Sequence, residues 1–246
     1  MRRFWLIALA AIALAACSKP AAPTNAASAN TIAAINSAPA PPVVTPPDAK
    51  LAKIFAPDVL GSNVAFLETI TGPAFRTDGD DRTYKVDGCT VIVGAANGKI
   101  DNIGIDGYSQ PCSFPIQQYF AIQPGFTLPR NPTFGDLKKG LGGVYGATCL
   151  RLCGNAADPR VILAYQGSHA DNFTDLYAAV DIGADGPALA AFTDWGNKLV
   201  ARHGEPYVAT GQYAAGDSAQ DVAATDFAKV SPTIVRVGTN LPGAAE

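Results

Sequence analysis

Histidine is scarce. His169 and His203 are the two in 246 residues, so acid–base chemistry near neutral pH has little to draw on. Positive charge is also short, with 18 Lys and Arg against 21 Asp and Glu. A chain with that balance lacks the basic patch that neutralises phosphates, which excludes nucleic acid as the expected partner. Nor is any apolar run long enough to cross a bilayer: Phe4 to Ala16 is uncharged but stops at 13 residues, where a spanning helix needs about 20.

What the N-terminus has instead is an export pattern, with Arg2 and Arg3 ahead of that apolar run, read as a secretory signal over residues 1–16. The tetrapeptide Leu14-Ala15-Ala16-Cys17 resembles the lipobox of bacterial lipoproteins. The resemblance implies a diacylglycerol on the Cys17 thiol, cleavage just before it and acylation of the new amino group. Several acyl chains anchor firmly where one holds marginally. The bland alternative is an ordinary signal peptide cut near Ala15 or Ala16, which would leave a free thiol in an oxidising compartment. In lipoproteins an aspartate after the cysteine favours retention at the inner membrane; Ser18 stands there, so the expectation is the outer membrane, periplasmic side. Loss of residues 1–16 leaves 16 basic and 21 acidic residues, a net charge of −5.

Residues 18–48 hold seven prolines among Ala, Ser, Thr and Asn, with Lys19 and Asp48 as the only charges. Such a stretch cannot bury enough apolar surface to fold, and it reads as a tether reaching at most roughly 100 Å. The folded part is expected over 49–246, as a first half at 49–126 and a second at 127–246. Four cysteines remain there: Cys89, Cys112, Cys149 and Cys153. An even number in an exported chain reads as two disulfides; of the three pairings, Cys89–Cys112 and Cys149–Cys153 join neighbours in sequence. The spacing is not that of paired Cys-x-x-Cys zinc knuckles.

The first half predicts a short helix at Ala49 to Phe55 and another capped by Ser62, carrying Val64, Leu67 and Ile70 and stopped by Gly72-Pro73. Asp87-Gly88 between Thr83–Val86 and Cys89–Val93 is a hairpin signal, and Asn97-Gly98 turns the chain again into Lys99–Ile105, giving a three-stranded antiparallel meander. In the second half Thr133 and Asp136 form a capping box before a helix that ends at Gly142-Gly143. Strands follow at Tyr145–Leu152, Val161–Gln166 and Phe173–Ile182. Asp185 then caps a longer helix with Leu189, Phe192, Trp195 and Leu199 at helical spacing. A helix near Asp221–Lys229 and a strand at Thr233–Val237 close the chain. The fold class is α+β, short helices on an antiparallel sheet, with the second half read as a diverged copy of the first.

The Leu67…Thr71-Gly72-Pro73 helix end and the Tyr84…Gly98-Lys99 meander, behind a lipobox and a tether, resemble the small outer-membrane lipoproteins of the SmpA/OmlA type. These share the fold of the β-lactamase inhibitory protein. The resemblance implies protein binding by an exposed sheet face and no catalysis.

Catalytic candidates are few. Ser168, His169 and Asp171 offer nucleophile, base and acid, but three neighbours on one turn rarely converge as a triad, and a polar turn between strands explains them as well. His203 near a helix end complements the dipole. Asp78, Asp80 and Asp81 form an acidic turn without the EF-hand spacing; Gly140, Gly142 and Gly143 lack the spacing of a phosphate loop. Asn172-Phe173-Thr174 matches a glycosylation acceptor in form only. No cofactor and no metal are expected. The leading reading is a non-enzymatic, membrane-anchored binding module with a protein or envelope partner; the alternatives are a hydrolase centred on His169 and a purely structural envelope lipoprotein.

Overall fold

The computed structural model describes residues 49–153, 159–209 and 217–241, which fall in one compact unit, Val44–Glu246. The signal segment, Cys17 and the tether to Asp48 lie outside the described residues.

Helices α1 (Ala49–Ile54) and α2 (Val64–Thr71) open the unit, joined by a tight turn at Pro57–Val59. The cap of α2 is Asn63, not Ser62: the Ser62 hydroxyl donates back to the Val59 carbonyl at 2.7 Å and so closes the preceding turn. The helix stops at Gly72, whose φ of 80° costs glycine little. The chain then runs β1 (Arg76–Asp78), β2 (Asp81–Val86), β3 (Cys89–Ala96) and β4 (Lys99–Asp106). Both expected turns hold positive φ at their central residues, 51° and 84° at Asp87-Gly88 and 52° and 76° at Asn97-Gly98. The meander has a fourth strand, β1, which the sequence hides because its three residues are all exposed and carry no alternation.

The second half contains α3 (Phe134–Gly140), β5 (Val144–Ala147), β6 (Arg160–Tyr165), β7 (Asp175–Asp181), α4 (Pro187–His203), α5 (Glu205–Ala209), α6 (Asp217–Asp226) and β8 (Ile234–Gly238). The Thr133–Asp136 capping box starts α3. Strand β5 ends at Ala147 rather than Leu152, because the Cys149–Cys153 disulfide turns the chain and leaves Leu152 80% exposed at a φ of 55°. Asp185 does not cap α4. Gly186 does, at a φ of 91°, with Pro187 as the first helical residue, the position where a fixed φ and a missing N–H cost least. Helix α6 begins and ends a few residues before the expected span.

All eight strands join one antiparallel sheet in the order β1-β2-β3-β4-β8-β7-β6-β5, so the protein is α+β. The last strand, β8, inserts between β4 and β7 and ties the two meanders together. Because successive side chains in a strand alternate between faces, the sheet sorts its residues into two layers. Val91, Val93, Ile103, Leu163, Leu176, Val235 and Val237 pack with Ile54, Leu67, Leu137, Trp195 and Leu199 from the helices, and with Phe227 just after α6, in one large core. The opposite face carries a small second cluster, Tyr177, Ala179 and Ile234 with Ile162 and Leu241, and no helical residue joins it among the described residues. Cys89, buried at the start of β3, is bonded to Cys112 beyond β4, and Cys149 to Cys153.

Candidate functional site

Ser168, His169 and Asp171 share one turn, but not as a triad. Ser168 caps a single helical turn, His169–Asp171, in a capping box whose acidic partner is Asp171. That carboxylate is 3% exposed and accepts four hydrogen bonds, from Ala121 N (2.5 Å), Tyr165 OH (2.7 Å), and Ser168 N and Oγ (both 3.1 Å). Burial acts to raise its pKa, and the hydrogen bonds, led by the Ala121 amide, outweigh it and hold the group below the ordinary carboxylate range. The Tyr165–Asp171 hydrogen bond, with burial, pushes the Tyr165 phenol up to about 12. His169 lies exposed, edge-on to Phe173 at 5.6 Å between ring centroids, so the serine hydroxyl is held by the acid and not by the imidazole. This arrangement fixes the β6–β7 connection against the segment at Ala121. A depressed folded-state pKa means that Asp171 favours folding fully above the unfolded value of about 4, and that this contribution is lost as pH falls through the lower folded value. Asp171→Asn should therefore cost about 1–3 kcal/mol at pH 7 and flatten the fall in Tm below about pH 4. Melts from neutral to strongly acidic pH check this; an unchanged acid limb would show that other groups control it.

The remaining candidates separate. His203 sits in the last turn of α4, its ring 4.4 Å from that of Tyr207. Asp78 pairs with Arg76 at 2.9 Å, and Asp81 turns away to Arg236. Among the described residues no group of three His, Cys, Asp or Glu is placed to hold a metal ion. Gly142 and Gly143, at φ of 95° and 94°, follow the end of α3.

The helix-free sheet face carries a polar network that the sequence reading missed. Arg236 on β8 is 4% exposed. Its Nε donates to Asn102 Oδ1 on β4 (3.0 Å), and its Nη1 and Nη2 donate to Asp81 on β2 (2.9 and 2.6 Å). Two glycines clear its path. Gly104 stands opposite Arg236, where a Cβ would come within 2.4 Å of the arginine Cγ; at Gly94, opposite Asn102, it would come within 2.2 Å of the Asn102 amide nitrogen. Tyr177 stands across from Arg236 on the other side. Beside this network lie the apolar cluster at Tyr177, Ala179, Ile234 and Ile162, half-buried Ile92, and a second bidentate pair, Arg160 with Asp181 at 2.5 and 3.0 Å. The available signals were glycines inside strand patterns, which mark close approach, and one arginine in the otherwise apolar strand Ile234–Val237.

The β5 edge of the sheet is closed to an added strand at Tyr145. The Gln220 side chain on α6 accepts from the Tyr145 N–H at 2.6 Å and donates to its carbonyl at 2.8 Å, as a neighbouring strand would. Compared with protein families, curated proteins and solved structures, the chain has no match in any of the three.

Proposed function

We propose that this chain is a bacterial outer-membrane lipoprotein, held on the periplasmic side through Cys17, whose folded part is a non-enzymatic module that binds a protein partner with the helix-free face of its sheet. The observation that supports the reading is the segregation of every described helix to the large core, which leaves half-buried Ile92 and Ile162 without a helical cover, beside Tyr177 and Ile234, which are themselves buried at 2% and 7% exposure. The accessible apolar side chains of that face, Ile92 and Ile162, are rimmed by charged ones, here Lys85, Asp81 and the Arg160–Asp181 pair, the order of apolar centre and polar rim found at protein interfaces. The Gln220 clamp on β5 turns a partner away from that edge and toward the face.

The test is photo-crosslinking in intact cells, with the reactive residue at Ile162 on the face or at exposed Lys53 on α1, combined with fractionation of parent and Cys17→Ser. The face position should give protein adducts and the helix position none, and Cys17→Ser should leave the membrane pellet. Adducts from both positions alike, or from neither, would reject the binding face; a variant that sediments as strongly as the parent would reject the lipid anchor.

A further inference from the structure

Where β4 begins and β8 ends, five segments converge on a cleft of about 480 Å³, within the range of small-molecule sites. Lys99, Asp101, Gln118, Asn172 and Thr174 supply its polar lining and Leu60 part of its aliphatic wall. Two backbone devices surround it. Gly94 pairs with Asn102 and Ala95 with Ile100, so Asp101 is the extra residue of a β-bulge, a feature that re-aims a side chain. Three non-glycine residues in left-handed conformations also cluster here: Asn172 and Phe173, at φ of 51° and 56°, and Asn240 at 52°, which donates to Asp101 at 3.2 Å. Such conformations cost energy and persist where the surroundings enforce them.

The lining holds unused hydrogen-bonding capacity. The Lys99 ammonium, the Asn172 carboxamide and the Thr174 hydroxyl have no hydrogen-bond partner among the described residues. Gln118 spends its amide on the Phe55 carbonyl at 2.5 Å, and its own carbonyl oxygen remains available. Donors and acceptors are thus both present, and one cation offsets one carboxylate. An anion would meet Asp101 and a cation would meet Lys99. A hydroxyl-rich ligand uses both kinds of group at once, because each hydroxyl donates and accepts, while its C–H faces suit Pro57 and Leu60. We propose that this cleft is a carbohydrate-binding site, separate from the sheet face and independent of the protein partner.

The experiment titrates the mature chain in mild detergent with two probes, tetra-N-acetylchitotetraose and maltotetraose, followed by saturation-transfer NMR and calorimetry. At least one should bind saturably with a Kd of about 1 mM or tighter. Lys99→Ala and Asn172→Gly, the latter keeping the left-handed backbone, should weaken that binding at least about tenfold with Tm preserved. A substitution at Ile162 on the sheet face should leave it unchanged. Binding to the chitotetraose alone would place an acetamido group in the cleft, and equal binding of both probes would assign recognition to ring hydroxyls. No saturable binding of either, or cleft variants that bind like the parent, would overturn the proposal.

Discussion

Cys89→Ala should lower the stability of the folded chain by about 3 kcal/mol or more, a fall in Tm of roughly 6–12 °C for a domain of this size. The bond closes a loop between residues 23 apart, whereas Cys149 and Cys153 are 4 apart. In the loop-entropy treatment the first restricts the unfolded chain by about 3 kcal/mol and the second by roughly 2. Burial widens the gap. Cys89 is 1% exposed and packs in the large core with Val91 and Val86, so its removal also leaves a small void, while Cys149 and Cys153 are half-exposed. The Cys89–Cys112 bond also anchors the segment that carries Phe114, stacked at 4.1 Å on Phe55, which directly follows α1. Peptide mapping of unreduced protein, with melts of Cys89→Ala and Cys149→Ala beside the parent, makes the comparison. Mixed connectivity or four titratable thiols would overturn the pairing; a larger loss in Cys149→Ala would keep the pairing and reject the ranking.

Both disulfides could be read from sequence because each joins cysteines close along the chain. The hairpins at Asp87-Gly88 and Asn97-Gly98 were legible for a similar reason, since residues that tolerate positive φ announce the turn where they stand. Local signals failed where a neighbour competed for the same group. Ser62 was spent on Val59, and Gly186 displaced Asp185 as the cap of α4. What no local pattern contains is the insertion of β8 between β4 and β7, and that insertion builds both candidate sites. It brings Arg236 to Asp81 across 155 residues and sets Thr239 beside Asp101 in the cleft. The acidic turn at 78–81 was visible as a charge cluster, but its meaning depends on an arginine that only the sheet order delivers.

That dependence makes Arg236 the most sensitive polar position on the sheet face. Arg236→Met should cost about 2–3 kcal/mol and lower Tm by roughly 5–10 °C. Breaking a buried pair by removing one partner costs about 3–5 kcal/mol when the other charge is left buried. Here the Asp81 side chain is 44% exposed and can rehydrate, so the figure is discounted, whereas Asn102 at 2% exposed keeps an unmet carbonyl oxygen. Lysine should not rescue the loss, because one ammonium cannot present the planar fork that reaches Asp81 twice and Asn102 together. The glycines give an independent check. Gly104→Ala leaves every hydrogen-bonding group in place, but its Cβ would stand 2.3 Å from the Val235 carbonyl and 2.4 Å from the Arg236 side chain, so it should destabilise as much by forcing β8 away from β4. Melts of Arg236→Met, Arg236→Lys, Asp81→Asn and the double variant Arg236→Met with Asp81→Asn close a thermodynamic cycle. The double variant should lose less than the two single losses added together, since each single substitution already breaks the same Arg236–Asp81 pair. Strict additivity, or an Arg236→Met protein within about 0.5 kcal/mol of the parent, would mean that the guanidinium lies across the sheet without holding β2, β4 and β8 together.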